Sequence, residues 1–438
     1  MNVKEVLYQQ NFLKYFIRFN NSMGALIKDI KNIEGLKRIF VEEWNWEYQG
    51  FRNYLKIPQE LENKILENFL LCRKSNFNVY FLVLNNLPDP EKELRKIERT
   101  LLNQGEIKKD LLDNSIFIFA TSDFNFIDFV KAEKIGPKIR IKKFSITPDN
   151  RDKLRTAEEQ LNKLKLISSD YSKIKNSLEE AFSVEAVTDK FYKEFEDVFK
   201  KIQKELIKQK VDLENEEKSS KLKDFIHQVL NRIMFLYFVQ KRGCFGRDKN
   251  FLKNFWNGYK EKFKNQNKFH SDWLDVLFFE ALSKQSWLYN EKPYLGEFNQ
   301  ILKYAPYLNG GLFERNELDK IGWQIPDELF DDIFEFFESY NFTITESTPL
   351  EIEIAIDPEM LGNIYEHMVN IEEFEEEGKK AGIFYTPKTE IELMIRRALV
   401  EFLFNKTKIT KEKLYQFIFQ EQEEEIQDLL LMKRLIKF

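Results

Sequence analysis

The stretch Asn78-Val79-Tyr80-Phe81-Leu82-Val83-Leu84 decides the reading of the fold. It is continuously apolar after its first residue, and Val, Tyr and Phe suit a pleated, buried surface, so it reads as a central strand covered on both faces. A helical pattern follows over residues 91–102, then a second apolar run, Ser115-Ile116-Phe117-Ile118-Phe119-Ala120. A third run, Lys138-Ile139-Arg140-Ile141-Lys142-Lys143-Phe144, mixes basic and apolar residues as an edge strand with one wet face does. Upstream, Leu26, Ile27, Ile30, Ile33, Leu36, Ile39 and Phe40 recur at helical spacing over residues 23–46. Residues 1–150 are therefore expected to form a small α/β domain around a central sheet.

From Arg151 onward the pattern becomes almost entirely helical. Residues 155–166 and 189–211 read as charged helices, with a polar break at 215–220. Residues 221–242 make the best core helix, since Phe225, Ile226, Val229, Leu230, Ile233, Met234 and Leu236 leave little polar surface. Lys241 and Arg242 complement its C-terminal dipole, and Gly243 is suited to end it in the left-handed conformation. Asn309-Gly310-Gly311 reads as a turn that demands positive φ, and Asp357-Pro358-Glu359 as a helix start. The expected architecture is α+β and predominantly helical. It comprises a sheet domain at 1–150, nuclease-like or degenerate, a helical connector at 151–350, and a helical region at 351–438.

The totals set limits. A chain of 438 residues is too long for one ordinary core. The 42 Phe argue for filled cores over disorder. A net charge of -5 carries no global basic signal, so a nucleic-acid surface has to be a local patch. Two cysteines, Cys72 and Cys244, exclude a disulfide framework and a thiolate zinc site. His227, His270 and His367 are too few and too scattered for a histidine metal cluster. No signal pattern opens the chain and no apolar run has the length of a membrane span, so a cytoplasmic protein is expected.

Residues 134–165 are locally basic. Lys138, Arg140, Lys142, Lys143, Arg151 and Arg155 read either as a phosphate-contacting stripe for DNA or as a solvated strand edge and helix face. A metal-dependent nuclease needs an acid and an acid-x-Lys group at the ends of adjacent strands. Neither Asn85-Asn86, after the first strand, nor Thr121-Ser122-Asp123, after the second, supplies one. Glu106-Ile107-Lys108 has the letters but lies in a loop-like stretch, and Glu42, Glu43 and Glu47 around Trp44 and Trp46 read as a solvated helix end. No catalytic residue and no metal ligand is identified, and magnesium enters only if this domain is a nuclease.

Near the other end stands Gly382-Ile383-Phe384-Tyr385-Thr386-Pro387. Thr386 is a good N-cap and Pro387 suits the first helical position. Ile391, Met394, Ile395, Ala398, Leu399 and Phe402 then mark an amphipathic helix expected to pack on a core. An aromatic pair leading into a helix N-terminus can hold a small ligand with a carboxylate or phosphate.

Five stretches in order resemble the combined restriction–modification enzymes (type IIG) and related large adenine-specific DNA methyltransferases. They are Ala181-Phe182-Ser183-Val184-Glu185-Ala186-Val187-Thr188 with Phe191-Tyr192, then Asn231-Arg232 through Phe238, then Tyr307-Leu308-Asn309-Gly310-Gly311-Leu312-Phe313. Residues 356–366 and 382–387 complete the set. The resemblance implies that Phe384, Tyr385, Thr386 and Pro387 contact S-adenosylmethionine, that the partner is double-stranded DNA, and that the setting is restriction–modification or phage defence. It also has a gap. The family's Asp-Pro-x-x-Gly-Ser-Gly stretch and its Asn-Pro-Pro-Tyr, which orients the flipped adenine, are absent from these residues. The expectation is an N-terminal part, from a truncated gene, a split subunit or an excised fragment, inactive in methylation alone and binding the cofactor only with a catalytic half. The alternatives are a non-catalytic DNA-binding or assembly subunit of a split complex, and a metal-dependent endonuclease acting through the N-terminal domain.

Overall fold

The computed structural model describes residues 30–104, 107–135, 138–151, 155–165, 170–208, 216–263, 266–308, 310–344, 351–356, 388–407 and 409–420. They fall into two compact units, divided between residues 358 and 359. The chain is α+β and mostly helical, as its sequence suggests.

The first unit opens with α1 (Ile33–Lys37), whose Asn32 cap accepts from Gly35 N at 3.1 Å. A π-helical turn continues it and buries Ile39 and Phe40. A seven-stranded mixed sheet then runs in strict chain order. Its strands are β1 (Glu47–Arg52), β2 (Ile65–Lys74) and β3 (Phe77–Leu84), followed after two helices by β4 (Ser115–Thr121), β5 (Ile127–Ile135) and β6 (Lys138–Ile146). The helices between β3 and β4 are α2 (Pro90–Gln104) and α3 (Lys109–Asp113), and they make the crossover a parallel β3–β4 pair requires. One face of the sheet, with Tyr80, Leu82, Phe117, Phe119, Val130 and Ile141, shares a buried core with Leu94, Ile97 and Leu101 of α2.

The third predicted strand is not an edge. β6 pairs antiparallel with β5 on one side and parallel with β7 (Glu351–Glu353) on the other. Strand alternation places Ile141 and Lys143 on one face and Lys142 and Phe144 on the other. Phe144 stacks on Phe129 at 4.9 Å and meets Phe182 at 5.4 Å. The sheet thus takes its last strand from beyond the helical region, inside the stretch expected to begin a third domain at 351.

That helical region comprises α4 (Arg155–Asn162), α5 (Tyr171–Ala181), α6 (Val184–Lys208), α7 (Glu216–Lys241), α8 (Phe251–Phe263), α9 (Phe298–Lys303), α10 (Glu317–Lys320) and α11 (Phe330–Glu338). Its axis is α7, with Ile226, Val229, Leu230, Ile233 and Leu236 wholly buried. Gly243 follows with φ of +74°, the left-handed stop the sequence implied. The Asn-Gly-Gly turn differs from expectation: Gly310 is extended at φ -161°, and a Cβ on Gly310 or Gly311 would meet open space. Arg232 of α7 holds the segment instead, donating from Nε to Leu312 O at 2.6 Å.

The second unit pairs α12 (Lys388–Lys406) with α13 (Lys411–Gln420). Val400, Leu403 and Leu414 make its small core. The helix after Pro387 therefore forms, but the face read as core-packing does not pack: Ile391, Met394, Ile395, Leu399 and Phe402 are all exposed. Only residues on another side of α12 reach α13. The Asp357-Pro358-Glu359 helix start and the Phe384-Tyr385-Thr386-Pro387 half-site lie outside the described residues.

Candidate functional site

Three charged side chains meet under the sheet of the first unit. α2 begins at Pro90 with Glu91 and Glu93 in its first turn, where acids favour the helix dipole. Its inner stripe runs through Leu94, Ile97, Leu101 and Leu102, and Glu98 sits in that stripe, 1% exposed. On β5, Asp128 shares a face with Val130 and Ala132 and is 3% exposed; on β6, Lys143 shares one with Ile141 and is equally buried. Lys143 Nζ donates to Asp128 Oδ2 at 2.7 Å and to Glu98 Oε2 at 2.9 Å. Glu98 Oε1 is buried and accepts no hydrogen bond among the described residues.

Burial and charge divide the protons unequally. Burial pushes the Glu98 carboxyl well above the usual range, with the Asp128 charge adding to the effect and Lys143 opposing it. Burial acts on Asp128 in the same sense, but the Lys143 ammonium and hydrogen bonds from Glu98, Lys143 and Ser145 hold it below the ordinary value. Burial alone would lower Lys143; the charges of Asp128 and Glu98 overcome it and keep the ammonium protonated. The cluster is therefore a Lys–Asp ion pair beside a Glu98 carboxyl that burial pushes toward its neutral form.

Does this set fit a divalent cation? Hard cations want six or more oxygen ligands, several of them from carboxylates. Here the point between the carboxylates is taken by Lys143 Nζ, one carboxyl is neutral, and Ile141 stands two residues before Lys143 where an acid would complete an acid-x-Lys group. Among the described residues no group of three or more His, Cys, Asp or Glu could hold a metal ion. The residues present do not fit magnesium.

The cluster opens onto a cleft of about 90 Å3, into which Asp128 and Lys143 face. Arg95 of α2, Ser145 and Thr147 at the end of β6, and Lys241 and Lys249 from the helical region line the rest.

The predicted DNA stripe disperses. Lys143 lies in the buried cluster. Arg140 pairs with Glu133 across β5–β6 at 3.3 Å, and Lys142 is half-buried on the opposite face from Lys143. Arg151 donates to Ile30 O at 3.0 Å and to Phe124 O, tying α1 to the β4–β5 turn. Arg155 pairs with Glu159 and Glu194. Lys138 begins β6. Of the acids weighed for a nuclease, Glu42 is exposed and Glu43 half-buried at the end of the π-helical turn, while Glu47 is exposed but opens strand β1 instead of ending a helix.

Sequence reasoning missed Glu98 and Asp128. Each left a signal, a carboxylate at a helical or strand position whose neighbours on the same face are apolar. His270 and His227 pack inside the helical region, and His367 lies outside the described residues. His270 accepts from Ile325 N at 2.9 Å, and burial, then the nearby Arg232, lowers it to about 4. His227 stacks on Phe199 at 4.3 Å.

No family model matches the chain, and no solved structure matches it. A protein of Methanocaldococcus jannaschii that carries the provisional name of a type II restriction enzyme and methyltransferase is 32% identical over 225 residues, covering 46% of this chain. The alignment spans only 18% of that relative's length.

Proposed function

We propose that this chain is the DNA-handling portion of an adenine-specific restriction–modification methyltransferase of type IIG character, working in the cytoplasm in phage defence. The observation that carries the reading is the 32% identity to a protein named for both restriction and methylation. In this reading the sheet domain and the helical region grip duplex DNA. Phe384, Tyr385, Thr386 and Pro387 form one edge of an S-adenosylmethionine pocket that a catalytic half completes. The cofactor would supply the methyl group there, and the aromatic pair before the start of α12 is the sequence feature that would hold it.

The endonuclease reading has one observation in its favour, the meeting of Asp128, Lys143 and Glu98. Against it stands the ligand set, which lacks the acid at position 141 and has its centre filled by Lys143. We therefore place DNA holding, rather than DNA cutting, in the sheet domain. A non-catalytic subunit of a split complex would share that role.

The purified chain tests this directly. Labelled duplex should bind at low salt and weaken steeply as salt rises, because counterion release dominates phosphate binding. Labelled S-adenosylmethionine with adenine-containing duplex should give no methyl transfer until a catalytic half is added. Methyl transfer by the chain alone, or no duplex binding at low salt, would refute the reading.

A further inference from the structure

We infer that the cleft over Asp128 and Lys143 is a phosphodiester-binding site for the DNA backbone, completed by Lys241, Lys249 and the Thr147 hydroxyl. This rests on the DNA-handling reading and deepens it, since it makes the helical region part of the site instead of a connector.

The size of the cleft sets the ligand class. At about 90 Å3 the cleft is well below the several hundred that enclose a nucleotide or cofactor. A single tetrahedral anion fits, with the rest of its molecule outside. The lining holds four cations, Arg95, Lys143, Lys241 and Lys249, and two carboxylates, Glu91 and Asp128, while Asp149 just outside it pairs with Lys249. Asp128 is already matched by Lys143.

The second observation is an orphan donor. Thr147 lines the cleft, is 9% exposed, and its Oγ1 is buried without a hydrogen-bond partner among the described residues. An unpaired buried hydroxyl destabilises the fold, and a ligand oxygen that bonds it would remove that cost. The local backbone holds it there. Thr147 N donates to Asn150 Oδ1 at 2.7 Å, and Asn150 Nδ2 donates back to Ser145 O at 2.8 Å.

The cations are equally built in. α7 ends at Lys241, and left-handed Gly243, Gly246 and Arg247 turn the chain sharply so that Lys249 returns to the same cleft. Lys249 is tied to Asp149, next to Asn150. The same two lysines line a small adjoining cavity with Tyr340 and Asn341, so the helical region and the β6 end meet here as one wall.

Duplex binding by the full 438-residue chain, measured by anisotropy across a salt series, tests the inference. Thr147→Val should leave the thermal midpoint equal or higher, because it removes an orphan hydroxyl, yet weaken duplex binding about fivefold. Lys241→Gln with Lys249→Gln should lower the slope of log affinity against log salt by roughly 1.8 if each lysine meets one phosphate. Should the double variant unfold, Thr147→Val and Lys249→Gln alone decide. Wild-type binding with unchanged affinity and slope in these variants overturns the inference and spares the DNA-handling reading. Absence of wild-type duplex binding overturns both. A midpoint raised by inorganic phosphate at matched ionic strength, without duplex binding, would mark a free-phosphate site and overturn the DNA assignment.

Discussion

Two buried ion pairs sit in the first unit, one under the sheet and one in the helical region, and they are built to different ends. Arg232 of α7 is 1% exposed and spends four of its five N–H donors on protein. Nη1 and Nη2 reach Asp319 at 2.7 and 2.9 Å, Nε reaches Leu312 O, and Nη2 also reaches Glu314 O at 3.4 Å. Asp319 in turn accepts from Gln228 and from Asn316 N, closing the capping box of α10. The rings of Phe278 and Phe279 seal the guanidinium at 5.6 and 4.9 Å. Lys143 is nearly as deeply buried, but it and Asp128 face a cleft, Glu98 Oε1 has no hydrogen-bond partner among the described residues, and the Thr147 hydroxyl that lines the same cleft is orphaned. A saturated pair fastens structure, whereas an unsaturated pair beside open space is where a ligand can act.

The largest effect expected is at the saturated pair. Arg232→Met should strand Asp319 and release the Leu312–Glu314 segment, lowering unfolding free energy by about 3–5 kcal/mol. Urea denaturation measures the loss. Duplex affinity per folded molecule should be unchanged, and a selective loss of binding at full stability would erase the contrast drawn above.

Lys143→Met should cost less, about 2–3 kcal/mol, because Asp128 keeps hydrogen bonds from Ser145 and Glu98 and can share the Glu98 proton. Unlike the Arg232 variant, it should also weaken duplex binding in the folded protein, since Lys143 faces the cleft. Stability falling by the full amount seen at Arg232, with binding intact, would make both pairs fasteners.

How much of this was legible in the sequence follows from the same contrast. β3 and β4 were readable because buried central strands are apolar at nearly every position, as in Val79 to Leu84. β5 was not: Asp128, Lys131, Glu133 and Lys134 interrupt its apolar residues, and only the tertiary partners make the first two tolerable inside. β6 was found as a strand but set at an edge, because a lysine in a strand reads as solvated unless its carboxylates are known. Those carboxylates lie 45 and 15 residues away in sequence. α7 and its glycine stop were legible because apolar density and C-cap chemistry are local. The cleft joins residues from five separate segments, so no local pattern announces it. The exposed apolar face of α12 shows the converse, that helical spacing fixes which residues share a face and not what covers it.

The smallest effect separates the two regions by pH. Burial raises the folded pKa of Glu98 above the unfolded value of about 4.3. Its contribution to stability is complete below that value and is lost as pH rises toward the folded pKa, by about 1.4 kcal/mol for each unit crossed. Asp128 runs the other way, its folded pKa lowered, so its contribution holds above about pH 3.9 and is lost on acidification. Glu98→Gln copies the protonated acid: its carbonyl accepts from Lys143 and its amide donates to Asp128, with no proton to lose. Denaturation of this variant and the wild type should therefore coincide near pH 4 and diverge above it, the variant gaining about 1 kcal/mol or more by pH 8. A difference constant across that range would mean that Glu98 is ionised in the fold, and that the Lys143 cluster is a saturated salt bridge like the one at Arg232.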